Sequence, residues 1–311
     1  MMAWTDRHCR YLHRLCAPQA KLFTEMITTG ALLHGSREAL LAADPSEHPV
    51  GVQLGGCDPR EMAIAAKIAE TAGFDEINLN VGCPSPRVQR GSFGVCLMRQ
   101  PGLVADLVSA MRDSVDIPVS VKCRLGVDAD DSTDFLETFI GTVANAGCRQ
   151  FYVHARKALL NGISPAQNRA IPPLQPERVY ALKAKFPELQ IWLNGGIDET
   201  PSAIAHLQHV DGIMIGRQAY QRPLFLNGLA VELDGSSQRT PWDIMADYSV
   251  YIERELGKGT RLHDMTRHCL GLFSGITGAR AFRRTLSDSK NLKRNDPVLL
   301  QRAIVELSKA A

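Results

Sequence analysis

Two glycine motifs, NGGI at 194–197 and IGRQA at 215–219, are the first places where this chain's residue types could do chemistry. Backbone N–H groups without neighbouring side chains approach an anion closely, and a following helix start adds a favourable field, so the pair suits a phosphate. Asn194, Gly195 and Gly196 form the first cradle, Gly216 the second, and Arg217 adds a cation. Gln53, Lys122 and His154 supply an amide, an ammonium and an imidazole, each close to the end of a β-rich run. The segment NLNVGCPSPRVQRGSFGVCLM (78–98) carries Cys83 and Cys96, too isolated from other ligands for a metal site. An unperturbed thiol, with a pKa of about 8.5, is mostly protonated at neutral pH, so Cys96 could act as a general acid. A small buried hydrophobe is the plainer alternative.

The elements that must hold these groups are legible as alternating runs. Candidate strands are LFTEM (22–26), VGVQL (50–54), EINLN (76–80), PVSVK (118–122), FYVHA (151–155), IWLNG (191–195) and GIMIG (212–216). Segments of helical spacing separate them, such as DPREMAIAAKIAETA and DFLETFIGTVANAG. Strand then helix, repeated, predicts a parallel sheet. Glu25, Gln53, Asn80, Lys122, His154 and Asn194 stand at or beside the strand ends, which is how a (β/α)8 TIM barrel builds its active face. An open doubly wound sheet would instead carry a phosphate loop after its first strand, and no GxGxxG or GxxxxGK[ST] occurs. Such a barrel wants eight strands. The expectation is that the first lies before residue 1, since MMAWTDRHCRYLHRL reads as the loop and helix that follow it.

After GRQAYQRPLFL the strand pattern stops, and 240–311 reads as three or four amphipathic helices. The polar linker VELDGSSQRTP sets the expected boundary, with a barrel domain at 1–235 and a small all-α domain at 236–311. A phosphate cradle beside a polar barrel mouth fits FMN, and Lys122 could stabilise a reduced flavin ring. A sugar-phosphate substrate with Lys122 as a Schiff-base amine fits the same residues.

Composition narrows the partners. The 311 residues are 45% hydrophobic and 22% charged, with no apolar run near the roughly 20 residues of a membrane span. No signal peptide is expected from the charged N-terminal residues, and a cytoplasmic location follows. Eight cysteines show no CxxC, which argues against both a disulfide framework and a structural zinc site. The net charge of +2 hides an asymmetry, because 251–311 holds 12 Lys/Arg against 6 Asp/Glu. That imbalance suits a polyanionic partner.

These blocks together resemble the tRNA-dihydrouridine synthases, and among them the A-type bacterial subgroup. WTDRHCRY, TEM, GVQLGG, INLNVGCPSPRVQRGSFGVCLM, VSVKCRLGVD, VHARKA, NGISPAQNR, LNGGI, IGRQAYQRP and GARAFRR carry the resemblance along essentially the whole chain. The resemblance implies an FMN-bearing barrel followed by a helical domain that grips tRNA. It implies Cys96 as proton donor, with Cys83 in a structural turn. It also implies FMN contacts from Met1, Met2, Gln53, Lys122, His154, Asn194, Gly195, Gly196, Gly216 and Arg217, and tRNA contacts from Phe93, Arg169, Arg280 and Arg283. The family pattern APMMDWTDR departs from MMAWTDR here, where Ala3 stands in place of Asp.

The implied reaction is reduction of the uracil C5=C6 bond of a D-loop uridine near position 20, with NADPH as reductant. No metal, no membrane and no obligate protein partner is expected. Two rivals share features of the sequence: a small-molecule FMN oxidoreductase of pyrimidine or orotate type, and a catalytically impaired tRNA-binding protein.

Overall fold

A computed structural model describes residues 1–310. Seven strands form one sheet: β1 (Leu22–Thr28), β2 (Val50–Gly55), β3 (Glu76–Asn80), β4 (Val119–Arg124), β5 (Gln150–His154), β6 (Gln190–Asn194) and β7 (Gly212–Met214). Their spatial order is their chain order, and the pairs from β2 to β7 are parallel. A doubly wound sheet would reverse direction from its first strand, so the uninterrupted order is that of a (β/α)8-type barrel. β3 and β5 are buried along their whole length, as parallel strands covered on both faces must be.

Local sequence accounts for the connecting helices. Asp58 caps the helix Pro59–Thr71 by accepting from the Arg60 and Glu61 amides at 2.9 and 3.0 Å, and Pro59 suits its first turn. Met62, Ala65, Ala66 and Ala69 form its buried stripe. Ser132 caps Thr133–Asn145 in the same way, and that helix buries Leu136, Phe139, Ile140 and Val143.

The chain divides into two compact units. One comprises Met1, Phe23–Ala43 and His48–Gly216; the other comprises Met2–Leu22, Asp44–Glu47 and 217 onward. The polar linker at 231–241 therefore marks the entry to the helix Pro241–Leu256 rather than the edge of a compact unit. The second unit is helical, with helices at Arg7–Cys16, Arg217–Gln221, Leu224–Asp234, Pro241–Leu256, Leu262–Cys269, Ala279–Ser287, Ser289–Leu292 and Val298–Ala310. Residue 311, included in the expected last helix, lies outside the described residues.

Arg7–Cys16 joins the C-terminal helices through one apolar core, in which Leu12 and Cys16 meet Tyr248, Tyr251, Met265, Phe273 and Phe282. Asp6 caps that helix through the His8 and Cys9 amides, both at 3.0 Å, and pairs with Arg267 and His268. Burial opposes its charge, yet His268 and the Cys9 amide hold the Asp6 carboxyl below the usual carboxylate range. Among the described residues no helix is long and apolar enough to cross a membrane.

Candidate active site

Strand register brings the polar residues of the first unit to one level. Asn80 of β3 pairs with Lys122 of β4, and His154 of β5 pairs with Asn194 of β6. Lys122 Nζ donates to Asn194 Oδ1 at 2.9 Å, and Asn194 Nδ2 donates to the Met214 carbonyl at 2.7 Å. The amide of Asn194 is thereby fixed with its oxygen toward the ammonium. Burial lowers the Lys122 ammonium from its ordinary value to about 8, with Arg124 adding to the effect. Lys122 thus stays charged at neutral pH but titrates within reach of physiological conditions.

Gln53 is held from two sides: its Nε2 donates to Asn78 Oδ1 at 2.8 Å, and its Oε1 accepts from Asn80 Nδ2 at 2.7 Å. Asn78 passes the chain on to Ser120 Oγ at 2.8 Å, and the Ser120 hydroxyl donates to Glu76 Oε1 at 2.5 Å. Asn78, Ser120 and Glu76 are fully buried. Every donor in this row points the same way, so the orientation of the Gln53 amide is set by partners beneath it. Asn80 and Gln53 stand out in the sequence as polar strand ends, whereas Asn78, Ser120 and Glu76 do not. Their only signal is polar residues inside runs otherwise reading as buried strands.

Asn80 also ties the cysteine loop to the sheet, because its Oδ1 accepts from the Gly82 and Cys83 amides at 3.1 and 3.0 Å. The Cys83 carbonyl then accepts from Val95 N at 3.1 Å, next to Cys96. Gly94 makes this turn possible: its φ is +67°, and a Cβ there would lie 2.7 Å from the Cys83 carbonyl oxygen. Cys96 sits on the short 3-10 helix Gly94–Arg99.

All eight cysteines are free thiols; five are buried, whereas Cys57, Cys83 and Cys96 are partly exposed. Burial pushes the interior Cys123 and Cys148 thiols up to about 12. Burial also raises Cys96 from its ordinary value, partly offset by Arg99, so it stays a thiol at neutral pH. Protonated and reachable is the condition of a general acid.

The glycine motif at β6 is crowded by its own neighbours. Gly195 and Gly196 have φ values of +108° and +72°, and a Cβ on Gly195 would lie 2.7 Å from His154 Cδ2. Any other residue at 195 would displace the buried His154 ring. At Gly216 a Cβ would meet Met1 Sδ at 3.4 Å. Phe93 packs its ring over Gly55 and Gly91, and Arg169 belongs to the one-turn helix Gln167–Arg169. Asn168 organises that loop, exchanging hydrogen bonds with Leu159 at 2.8 Å in both directions.

Structure brings Gln53, Lys122, His154, Asn194 and Gly195 together through these contacts. Cys96 makes no hydrogen bond to them among the described residues; its tether is Asn80. Met2, 58% exposed, and Arg217, which opens the helix Arg217–Gln221, belong to the second unit. Arg280 and Arg283 are exposed on Ala279–Ser287 in that unit. Arg283 also lines a cavity of about 620 Å3 with Tyr220, Arg267 and Ser274.

The sequential parallel sheet, with an ammonium, an imidazole and an amide at its strand ends, defines a barrel enzyme of the (β/α)8 class. Residues 1–308 match the family described as Dihydrouridine synthase (Dus). A tRNA-dihydrouridine(20/20a) synthase of Escherichia coli K12 is 53% identical over 307 residues, 98% of this chain and 89% of the relative. Proteins of the same name from Vibrio cholerae (53% over 292 residues, 93% and 89%) and Salmonella typhimurium (52% over 307 residues, 98% and 92%) are similar to it as well. The chain belongs to the dihydrouridine synthase family, within the A-type subgroup to which its sequence blocks point.

Proposed function

We propose that this protein reduces uridine to dihydrouridine at positions 20 and 20a of the tRNA D-loop, with FMN as resident cofactor and NADPH as electron source, in the cytoplasm. The relatives' printed names supply the substrate positions. Among structural observations, the wiring of the cysteine loop through Asn80 to Gln53 at the barrel mouth carries the reading. It sets the half-exposed thiol on the same scaffold as the groups suited to a flavin.

The donor set fits that cofactor. Lys122 offers a cation whose one hydrogen-bond acceptor among the described residues is a neutral amide, His154 an imidazole, and Gln53 an amide, while Gly195, Gly196 and Gly216 leave backbone near them uncovered. Gln53, Lys122 and His154 would hold the ring edge; Asn194, the three glycines and Arg217 would hold the phosphate end, and Met1 and Met2 would border the ring. Held by these residues, FMN would supply hydride-transfer chemistry, with a hydride taken from NADPH and a hydride given to C6 of the uracil ring.

The protein's own part is acid catalysis and positioning. Cys96 protonates C5 of the uracil as its S–H bond breaks, and the thiolate regains a proton from solvent. Lys122 stabilises negative charge during transfer in a site drier than water. A uridine stacked in folded RNA cannot reach such groups, so it is flipped out of its stack, with Phe93 and Arg169 as its contacts beside the catalytic loop. Arg280 and Arg283 engage phosphates of the remaining tRNA. The barrel unit thus carries the proton donor, and the helical unit the exposed arginines that engage tRNA phosphates.

Incubating the purified protein with unmodified tRNA transcript and NADPH tests the proposal. The expected product is a D-loop fragment heavier by two hydrogens at 20 or 20a. An unchanged tRNA together with reduced free uracil or orotate would replace this reading with the small-molecule one.

A further inference from the structure

Arg124, at the end of β4, is 4% exposed, and among the described residues its hydrogen bonds go to backbone carbonyls. Its Nε donates to the Gly82 carbonyl at 2.8 Å, and its Nη1 donates to the carbonyls of Lys157 and Asn168, each at 3.1 Å. Those carbonyls belong to different segments. Gly82 opens the loop that carries Cys83, Phe93 and Cys96; Lys157 lies three residues after His154; Asn168 immediately precedes Arg169. No carboxylate neutralises the guanidinium among the described residues. Burial lowers it to about 10, and Arg169 and Arg156 are close enough to add to that shift. A buried cation among other cations is costly unless its donors are used.

We infer that Arg124 is a positioning residue, a three-way clamp that fixes the cysteine loop, the segment after β5 and the Arg169 loop in one mutual arrangement. The planar fork of a guanidinium can reach several acceptors in fixed directions, which a lysine ammonium cannot. If Cys96 and Arg169 act on the same flipped uracil, as the proposed function has it, their relative placement sets the rate of the chemical step, and a misplacement of about 1 Å can cost on the order of 10²-fold. The inference rests on that reading for its kinetic consequence and on geometry alone for the clamp.

The test uses the flavin-loaded protein and the variant Arg124→Lys, which keeps the charge and removes the fork. Amide hydrogen exchange should rise together in 81–98 and 156–170, with the rest of the sheet unchanged. The kcat for tRNA reduction should fall at least about tenfold, while flavin content and NADPH oxidation without tRNA stay within about twofold. Unchanged exchange, loosening of only one loop, or a wild-type kcat would overturn the clamp. Should Arg124→Lys fail to fold, exchange in the wild-type protein decides: a common opening free energy for both loops supports the clamp, and independent values contradict it. A wild-type protein inactive on tRNA would sink the proposed function and leave the exchange result to judge the clamp.

Discussion

Arg10 and Arg267 of the helical unit and Lys122 and Arg124 of the barrel unit are held in opposite ways. In the helical unit, Arg10 pairs with Glu47 at 2.5 Å, Arg7 with Glu255 at 2.6 Å, Arg267 with Asp6 and the exposed Arg254 with Asp44, whereas the buried Arg14 donates to the carbonyls of Ala17, Pro18 and Glu47. Among the described residues, Lys122 and Arg124 of the barrel unit are given only neutral acceptors, an amide and three carbonyls. A cation matched by a carboxylate has its charge cancelled and serves the fold. Lys122, held by a neutral amide at the strand ends, keeps its charge available to a ligand, while Arg124 spends its donors on the loops around it. Arg280, Arg283 and Arg284 form a third case, exposed and without an ion-pair partner among the described residues. Exposed, unmatched arginines on one helix suit the phosphates of a polyanion.

Breaking the chemistry without touching either kind of cation should have the largest effect. Cys96→Ala removes the proton donor, so dihydrouridine formation on unmodified tRNA should fall by about 10²–10⁴-fold. Flavin content and NADPH oxidation, measured on the same sample, should be unchanged. On the structural side, Arg10→Met leaves Glu47 buried without its partner, and thermal or denaturant unfolding should show a loss of about 3–5 kcal/mol. Burial already raises the Glu47 carboxyl from its ordinary value, against the pull of Arg10, which marks how much that carboxylate depends on its neighbour.

Legibility in the sequence followed the range of the interaction. The seven strands were readable because parallel strands buried on both faces appear as short β-rich runs, and the groups suited to a cofactor stood at or beside their ends. In the sequence Gly195 suits a phosphate cradle, and the structure adds a packing reason, the His154 ring beside it. Membership of Arg7–Cys16 in the helical core was not readable: Leu12 and Tyr248 meet across more than two hundred residues, and periodicity reports only that a helix has an apolar side. Arg124 was equally hidden, since its partners are carbonyls, which every residue has.

Smaller effects sharpen the comparison. Arg280→Ala with Arg283→Ala should weaken tRNA binding about tenfold at moderate salt and reduce the salt slope by about one to two, read from binding titrations at several ionic strengths. Catalysis at saturating tRNA should be preserved. Lys122 gives a pH signature: its ammonium is charged below a pKa of about 8 and lost above it, so the transfer rate should decline between pH 7 and pH 9. Lys122→Gln should be slower throughout and should lack that inflection. An identical pH profile in the variant would assign the titration to another group.

The central claim is that the barrel site and the RNA grip serve one reaction on tRNA. Anaerobic visible spectroscopy tests it most directly: the purified protein's flavin is bleached with NADPH, and unmodified tRNA or free uridine is then added. The account predicts rapid recovery of the oxidised spectrum with tRNA and none with free uridine on the same timescale. Equal recovery with both, or no recovery with tRNA, would contradict it.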